Sequence, residues 1–235
     1  MADLAGGALS IAATLLAYAL ARRLAERTGS ALVNPVLVAV AVLVAALRLL
    51  HVDYAAYDHG ARWVGWLLGP AVVALGIPLA AQMDEIARRG RSILLSIVAG
   101  SAAGIAAAAG TAALLGGSRR VVLSLVPRAV TTPIALGIAE RIGGIPSLSA
   151  ALVIGTGVVG AVVGPVLLRA LGITSRTAWG LAMGASSHGV GTARAAEEGE
   201  VEGASAGLAI GLMGVATALL APVAAWVLEF AIGPR

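Results

Sequence analysis

Two short stretches of this chain concentrate the residues with which it could do chemistry. The first runs from Ser124 to Pro133 and reads Ser-Leu-Val-Pro-Arg-Ala-Val-Thr-Thr-Pro. Thr131 or Thr132 can cap a helix whose first turn holds Pro133, which leaves free N–H groups and a positive dipole end at the break. Such an end holds carboxylates or phosphates, and Arg128 beside it can clamp a carboxylate with two parallel hydrogen bonds. The second stretch reads Gly-Ala-Ser-Ser-His-Gly-Val-Gly-Thr-Ala-Arg from Gly184 to Arg194. Ser186, Ser187 and Thr192 supply hydroxyls, and Gly189 and Gly191 let backbone approach a ligand closely. His188 is the one side chain here whose charge can change near neutral pH, which makes it the candidate for proton coupling. Arg194 ends the stretch with a second cation. The competing view is that Arg128 and Arg194 snorkel to headgroups while the prolines and glycines only kink or pack helices.

Other chemistries find little footing. The chain has no cysteine and no lysine, so thiol, disulfide and Schiff-base chemistry are excluded. A Ser–His protease lacks an Asp or Glu at hand to orient the histidine. No phosphate loop or zinc motif occurs. Glu197, Glu198, Glu200 and Glu202 crowd together without alternating ligand spacing and read as a solvated turn. His51, Tyr54, Tyr57 and His59 read as an interfacial loop. The expectation is a protein that is not an enzyme, with no catalytic residue, metal or cofactor.

The elements that must carry these stretches are membrane helices. Hydrophobic residues make up 59% and charged residues 12% of the 235, against about 25% charged in a soluble domain. Too little polar surface is left to face water. Apolar runs near the roughly 20 residues that a span needs occur at 8–21, 31–47, 63–81, 92–115, 148–168 and 203–228. Asn34 and Pro35 suit a helix start, Trp63 and Trp66 suit an interfacial belt, and Pro70 and Pro78 should bend their span. The stretches 121–139 and 179–196 are apolar too, but each is broken by prolines or glycines and holds an arginine. Helix breakers at membrane depth are tolerated where backbone is buried in protein or lines a wet cavity. Both read as discontinuous or re-entrant helices.

The fold expected is therefore all-α and polytopic, with about six transmembrane helices and two broken or re-entrant segments. A weak repeat at an offset of about 60 residues supports pairing the two: Val130, Thr132, Ala135, Glu140 and Gly143 match Val190, Thr192, Ala195, Glu200 and Gly203. Residues 1–118 then form a four-helix scaffold, and 119–235 a transport-like region of two repeat units, 121–170 and 179–231. The arginine clusters Arg22, Arg23, Arg27 and Arg88, Arg89, Arg91 place those loops in the cytoplasm and both termini outside. Met1–Ser10 carries no basic segment of the kind that opens a cleaved signal peptide. With re-entrant segments the repeat units acquire opposite orientations, the inverted plan of secondary transporters.

The chain also resembles a known family. Pro127-Arg-Ala-Val-Thr-Thr-Pro-Ile-Ala135, Gly143-Gly-Ile-Pro-Ser-Leu-Ser149 and Ser187-His-Gly-Val-Gly-Thr-Ala-Arg-Ala195 resemble the LrgB/CidB family of antiholin-like membrane proteins, as do Asn34–Pro35 and 68–79. That family includes the plastid glycolate/glycerate translocators. Arg128 is a departure, since many members carry Lys there; charge is kept and geometry differs. The resemblance implies one of two roles. One is carriage of small 2-hydroxy- or 2-oxo-carboxylates of the glycolate, glycerate or pyruvate type. The other is regulation of murein hydrolase activity and lysis beside a small LrgA/CidA-type partner. It also places the chain in a bacterial cytoplasmic membrane. The expected partners are the carboxylate, the bilayer and a second copy of the chain, with no nucleic acid.

Overall fold

A computed structural model describes residues 2–29, 33, 35–67, 70, 73 and 83–232, without the side chains of 2–6, 83–89, 231 and 232. Among the described residues every regular element is an α-helix. These are α1 (Ala2–Thr28), α2 (Pro35–Leu49), α3 (Tyr54–Trp66), α4 (Met83–Leu114), α5 (Arg119–Leu125), α6 (Thr132–Ile142), α7 (Pro146–Ala170), α8 (Arg176–Glu198) and α9 (Glu200–Ile232). Four segments are long and apolar enough to cross a membrane: Gly7–Thr28, Gly90–Leu114, Pro146–Ala170 and Glu200–Phe230. The exteriors are correspondingly apolar, with Leu9, Leu15, Val159, Leu219 and Phe230 all largely exposed. The chain divides into two compact units, Met1–Ala71 and Val72–Arg235.

In the first unit α1 packs against both α2 and α3. Ala17 and Ala21 meet Ala39 of α2, small residues that let helix backbones draw together without help from water. The crossing with α3 is closer still: a Cβ on Gly60 would lie 2.7 Å from Gly7 Cα. The helical run 54–62 departs from the interfacial loop expected there. Asp53 accepts from Ala55 N and caps α3, Gly60 is buried, and the Tyr57 hydroxyl lies 2.7 Å from that of Thr14. Tyr57 and Gly60 thus turn toward α1, a partner that the composition of the stretch does not advertise. Asn34, Pro78 and most of 63–81, with both terminal residues, lie outside the described residues.

In the second unit α4 and α9 run parallel. Ile93 and Ile97 pack with Leu208, Ala209 and Met213, the hydroxyls of Ser101 and Thr217 are 3.0 Å apart, and Ile105 and Ala109 join the cluster of Ala221. The two interrupted segments lie between these helices and α7, and both are hairpins. A straight helix from Ser124 to Ile145 would be about 31 Å long at 1.5 Å per residue. Instead Ile145 N donates to Ser124 Oγ at 2.7 Å, and Ser149 Oγ donates to Ser124 O at 2.8 Å. The chain goes out along α5, turns through 126–131 and returns along α6, whose end is fixed by Gly143 at φ 82°. A straight α8 would separate Arg176 from Glu198 by about 33 Å. Yet Arg176 Nε lies 2.8 Å from Glu202 Oε1 and Arg169 Nη2 lies 2.6 Å from Glu198 Oε1. Helical geometry fails inside α8 at His188, with φ 42° and ψ −130°, and there the chain reverses.

Helix α7 supplies the ruler. The base of the first hairpin lies beside Ile145 and Ser149, at the start of α7, and the base of the second beside Arg169, at its end. The hairpins enter from opposite ends of the same helix.

Candidate functional site

Both hairpin tips reach the middle of α7. On the first, Thr156 Oγ1 of α7 donates to Arg128 O at 2.9 Å, and Val130 is buried with Ala135 and Val153. On the second, His188 Nε2 lies 2.8 Å from Val153 O. A carbonyl only accepts, so this nitrogen carries the hydrogen. The imidazole rests where α7 has no side chain: a Cβ on Gly157 would lie 2.7 Å from His188 Nε2. One turn on, Gly160 leaves room for Ser187 Oγ. His188 adopts a positive φ that non-glycine residues rarely hold, at a cost of about 1–3 kcal/mol. The bond to Val153 O and the fit over Gly157 anchor it there. Gly191 lets the returning arm lie against Met183 O of the entering arm.

Arg128 is half-buried, and its Nη2 donates to Gly104 O of α4 at 3.1 Å. A guanidinium has five N–H donors. Among the described residues no carboxylate pairs with it. It lines two cavities. One, of about 400 Å³, lies among α4, the entering arm of α8 and Met213 of α9; the other, of about 430 Å³, lies along α7 from Ala151 to Gly160. Arg128 and Ser186 line both. The rest of both walls is mostly Ala, Gly, Leu, Ile and Val, with the Ser96 and Thr156 hydroxyls.

The predicted site residues divide in four. Arg128, Thr131, Thr132, Ser186, Ser187, His188 and Gly189 lie at the tips. Thr131 is the N-cap residue of α6, yet its side chain makes no capping bond, and among the described residues its buried hydroxyl has no hydrogen-bond partner. Ser186 and Gly189 are exposed, with Ser186 Oγ 3.1 Å from Ser187 Oγ. Thr192 and Gly191 lie inside the returning arm, where Thr192 Oγ1 donates to His188 O. Pro133 lines a separate cavity of about 280 Å³ with Arg141 and Pro222. Arg194 stands apart, near the base of its hairpin, paired with Glu197 and Glu198 at 3.0 and 2.8 Å.

Sequence reasoning missed the carbonyls of Gly104 and Val153 as the acceptors that hold Arg128 and His188. Thr156 it could have found, as a lone hydroxyl midway along an otherwise apolar span.

The returning arm of each hairpin starts at its tip, so two helix N-termini begin in this region, close to an arginine that has no anionic partner among the described residues. Every one of these elements falls within residues 14–227, which match the model of the LrgB-like family. The chain belongs to the LrgB-like family. Among its relatives, Bacillus subtilis YxaC, named only as an uncharacterized protein, is 35% identical over 213 residues, covering 91% of this chain and 93% of YxaC. The antiholin-like protein LrgB of Bacillus mycoides is 33% identical over 214 residues, 91% and 93% of the two chains. The antiholin-like protein LrgB of Bacillus cereus strain B4264 shows the same figures. No solved structure matches. With its four long apolar helices, this LrgB-like chain is an integral membrane protein. The stretches 127–135 and 187–195, which carry the family resemblance, are the ones that build the tips.

Proposed function

We propose that this LrgB-like protein carries small monocarboxylates of the glycolate, glycerate or pyruvate type across the membrane by alternating access. One observation supports this above the rest. Arg128, with no carboxylate partner among the described residues, lines two cavities that lie along different helices. A charge at membrane depth is costly and marks a substrate path by default. The N-terminus of α6 beside it adds about 0.3–1 kcal/mol when exposed and up to about 2 when partly buried. Walls of Ala, Gly and Leu suit a short tail better than a second charge. The hairpins entering from opposite ends of α7 fit an inverted repeat of 121–170 and 179–231. In that plan six spans carry the two re-entrant elements, and both termini lie outside a bacterial cytoplasmic membrane. His188, held at the second tip, is the proton-coupling candidate, and the carrier works without enzyme chemistry or cofactor.

A second reading rests on the relatives' names, which speak for it more directly than for carriage. Two of them are called antiholin-like. On that reading the chain restrains murein hydrolase activity and lysis beside a small LrgA/CidA-type partner, and the hairpins form a docking scaffold. Purified protein in liposomes separates the two. The carrier takes up labelled glycolate or pyruvate saturably. A regulator leaves uptake at the level of empty liposomes and changes autolysis when it is deleted.

A further inference from the structure

The two cavities at Arg128 have almost disjoint walls. The first begins at Ala178, two residues into α8, and ends at Ser186, two residues before the reversal. It therefore follows the entering arm from the base of the second hairpin to its tip, with Gly100 and Gly104 of α4 opposite. The second runs along α7 from Ala151, five residues past Pro146, to Gly160, and so extends from the end of α7 where the first hairpin is based. Each cavity leads from a different end of α7 toward its middle. Among the described residues, Arg128 and Ser186 are the only ones that line both.

We propose that Arg128 and Ser186 form the permeation barrier of this protein, a partition one arginine side chain thick. Arg128 closes the path by its bulk as well as holding the anion by its charge. The glycines around it favour this. Gly104 carries no side chain at the place where a Cβ would lie 3.5 Å from Arg128 Nη2, and its carbonyl takes the hydrogen bond that holds the guanidinium across the gap. Gly100 and Gly104 on the α4 wall and Gly155 and Gly160 on the α7 wall bring no side chain to fill the space if the arginine is shortened. Among the described residues a single side-chain hydrogen bond secures the closed position, so a modest shift of either hairpin would swing the arginine from one cavity to the other. The proposal builds on the carrier reading, but its test uses a solute without charge and therefore stands or falls separately.

The experiment measures osmotic swelling of proteoliposomes in erythritol, a neutral four-carbon polyol. Wild-type liposomes should swell as slowly as empty ones. Arg128→Ala should swell several times faster, because the cavities merge. Arg128→Met, nearly as long but uncharged, should stay closed. Arg128→Cys, in a chain that lacks native cysteine, gives a control that needs no comparison between folds. It should leak, and modification with aminoethyl methanethiosulfonate should close it again in the same protein. Swelling of both Arg128→Ala and Arg128→Cys at the wild-type rate, with folded protein confirmed by gel filtration, overturns the barrier. So does a leak in Arg128→Met equal to that of Arg128→Ala. If Arg128→Ala does not fold, Ser186→Gly, which trims an exposed side chain, must leak measurably for the proposal to stand. A protein that moves no carboxylate but shows this pattern would refute the carrier and keep the partition.

Discussion

Arg128→Gln abolishes carboxylate uptake and leaves the protein folded. The guanidinium offers charge and a planar fork of donors that matches a carboxylate, and Gln keeps neither. Removing one partner of a charge-assisted contact in a desolvated site costs about 2–5 kcal/mol, and each 1.4 kcal/mol is about a tenfold loss of affinity. Affinity in the micromolar-to-millimolar range has no such reserve, so transport falls to background. Folding survives because, among the described residues, the Arg128 side chain makes one hydrogen bond, to Gly104 O, and sits between cavities, not in a packed core, while the bonds of its backbone remain in the variant. Arg128→Lys should keep part of the activity, since a point charge remains where the fork is lost. Uptake and ligand binding measured beside the thermal midpoint in detergent decide the matter. Wild-type binding in Arg128→Gln would reduce the first tip to a structural element.

Gly184→Leu prevents assembly of the second unit. Gly180 and Gly184 are one turn apart on the entering arm of α8, and both face α9. A Cβ at Gly180 would run into Glu202 O, and one at Gly184 into Ala206 O, with Ala206 Cα 2.7 Å away. The obstacle is backbone of a neighbouring helix, so the two helices must part. Overpacking usually costs about 1–3 kcal/mol; here the lost crossing also supports Trp179, Met183 and Ala195 in their shared cluster with Ala206. The expected result is little monodisperse protein and a large drop in thermal midpoint. Gly189→Ala is the control, because a Cβ there meets nothing within 4 Å. It should change stability by no more than about 0.5 kcal/mol. Equal midpoints for Gly184→Leu and wild type would contradict the close crossing of α8 and α9.

The sequence made some of this legible and hid the rest for physical reasons. Prolines at 127 and 133 announced the first break, since neither can donate in a helical ladder. The second break was expected at Gly184, Gly189 or Gly191, yet the residue in a glycine-like conformation is His188. Its strain is met by Val153 O and by the gap over Gly157, tertiary contacts that no local pattern displays. Gly184 and Gly191 instead permit close packing. Arg194 looked like a site residue because it interrupts an apolar run. Its partners stand three and four residues on, the spacing at which helical side chains meet, so the pairing was readable once the stretch was taken as helix. The acidic run read as a solvated turn holds Glu202, whose side chain is 11% exposed and bridges to Arg176. Which end of α8 it would meet depended on the reversal. Residues 54–62 looked like a loop because Tyr, Asp and His are interfacial types, and only Thr14, 43 residues away, gives Tyr57 its place.

The two hairpins enter from opposite ends of α7, and single-cysteine labelling in sealed vesicles tests that most directly. The chain has no cysteine of its own. Ser118 and Ser147 flank the first hairpin, Ser175 and Val201 flank the second, and all four are exposed. A membrane-impermeant thiol reagent should reach Ser118→Cys and Ser147→Cys from one face only, and Ser175→Cys and Val201→Cys from the other face only. Reaction of Ser118→Cys and Ser147→Cys from opposite faces, or of Ser175→Cys and Val201→Cys from opposite faces, would make that segment a complete span and contradict the arrangement.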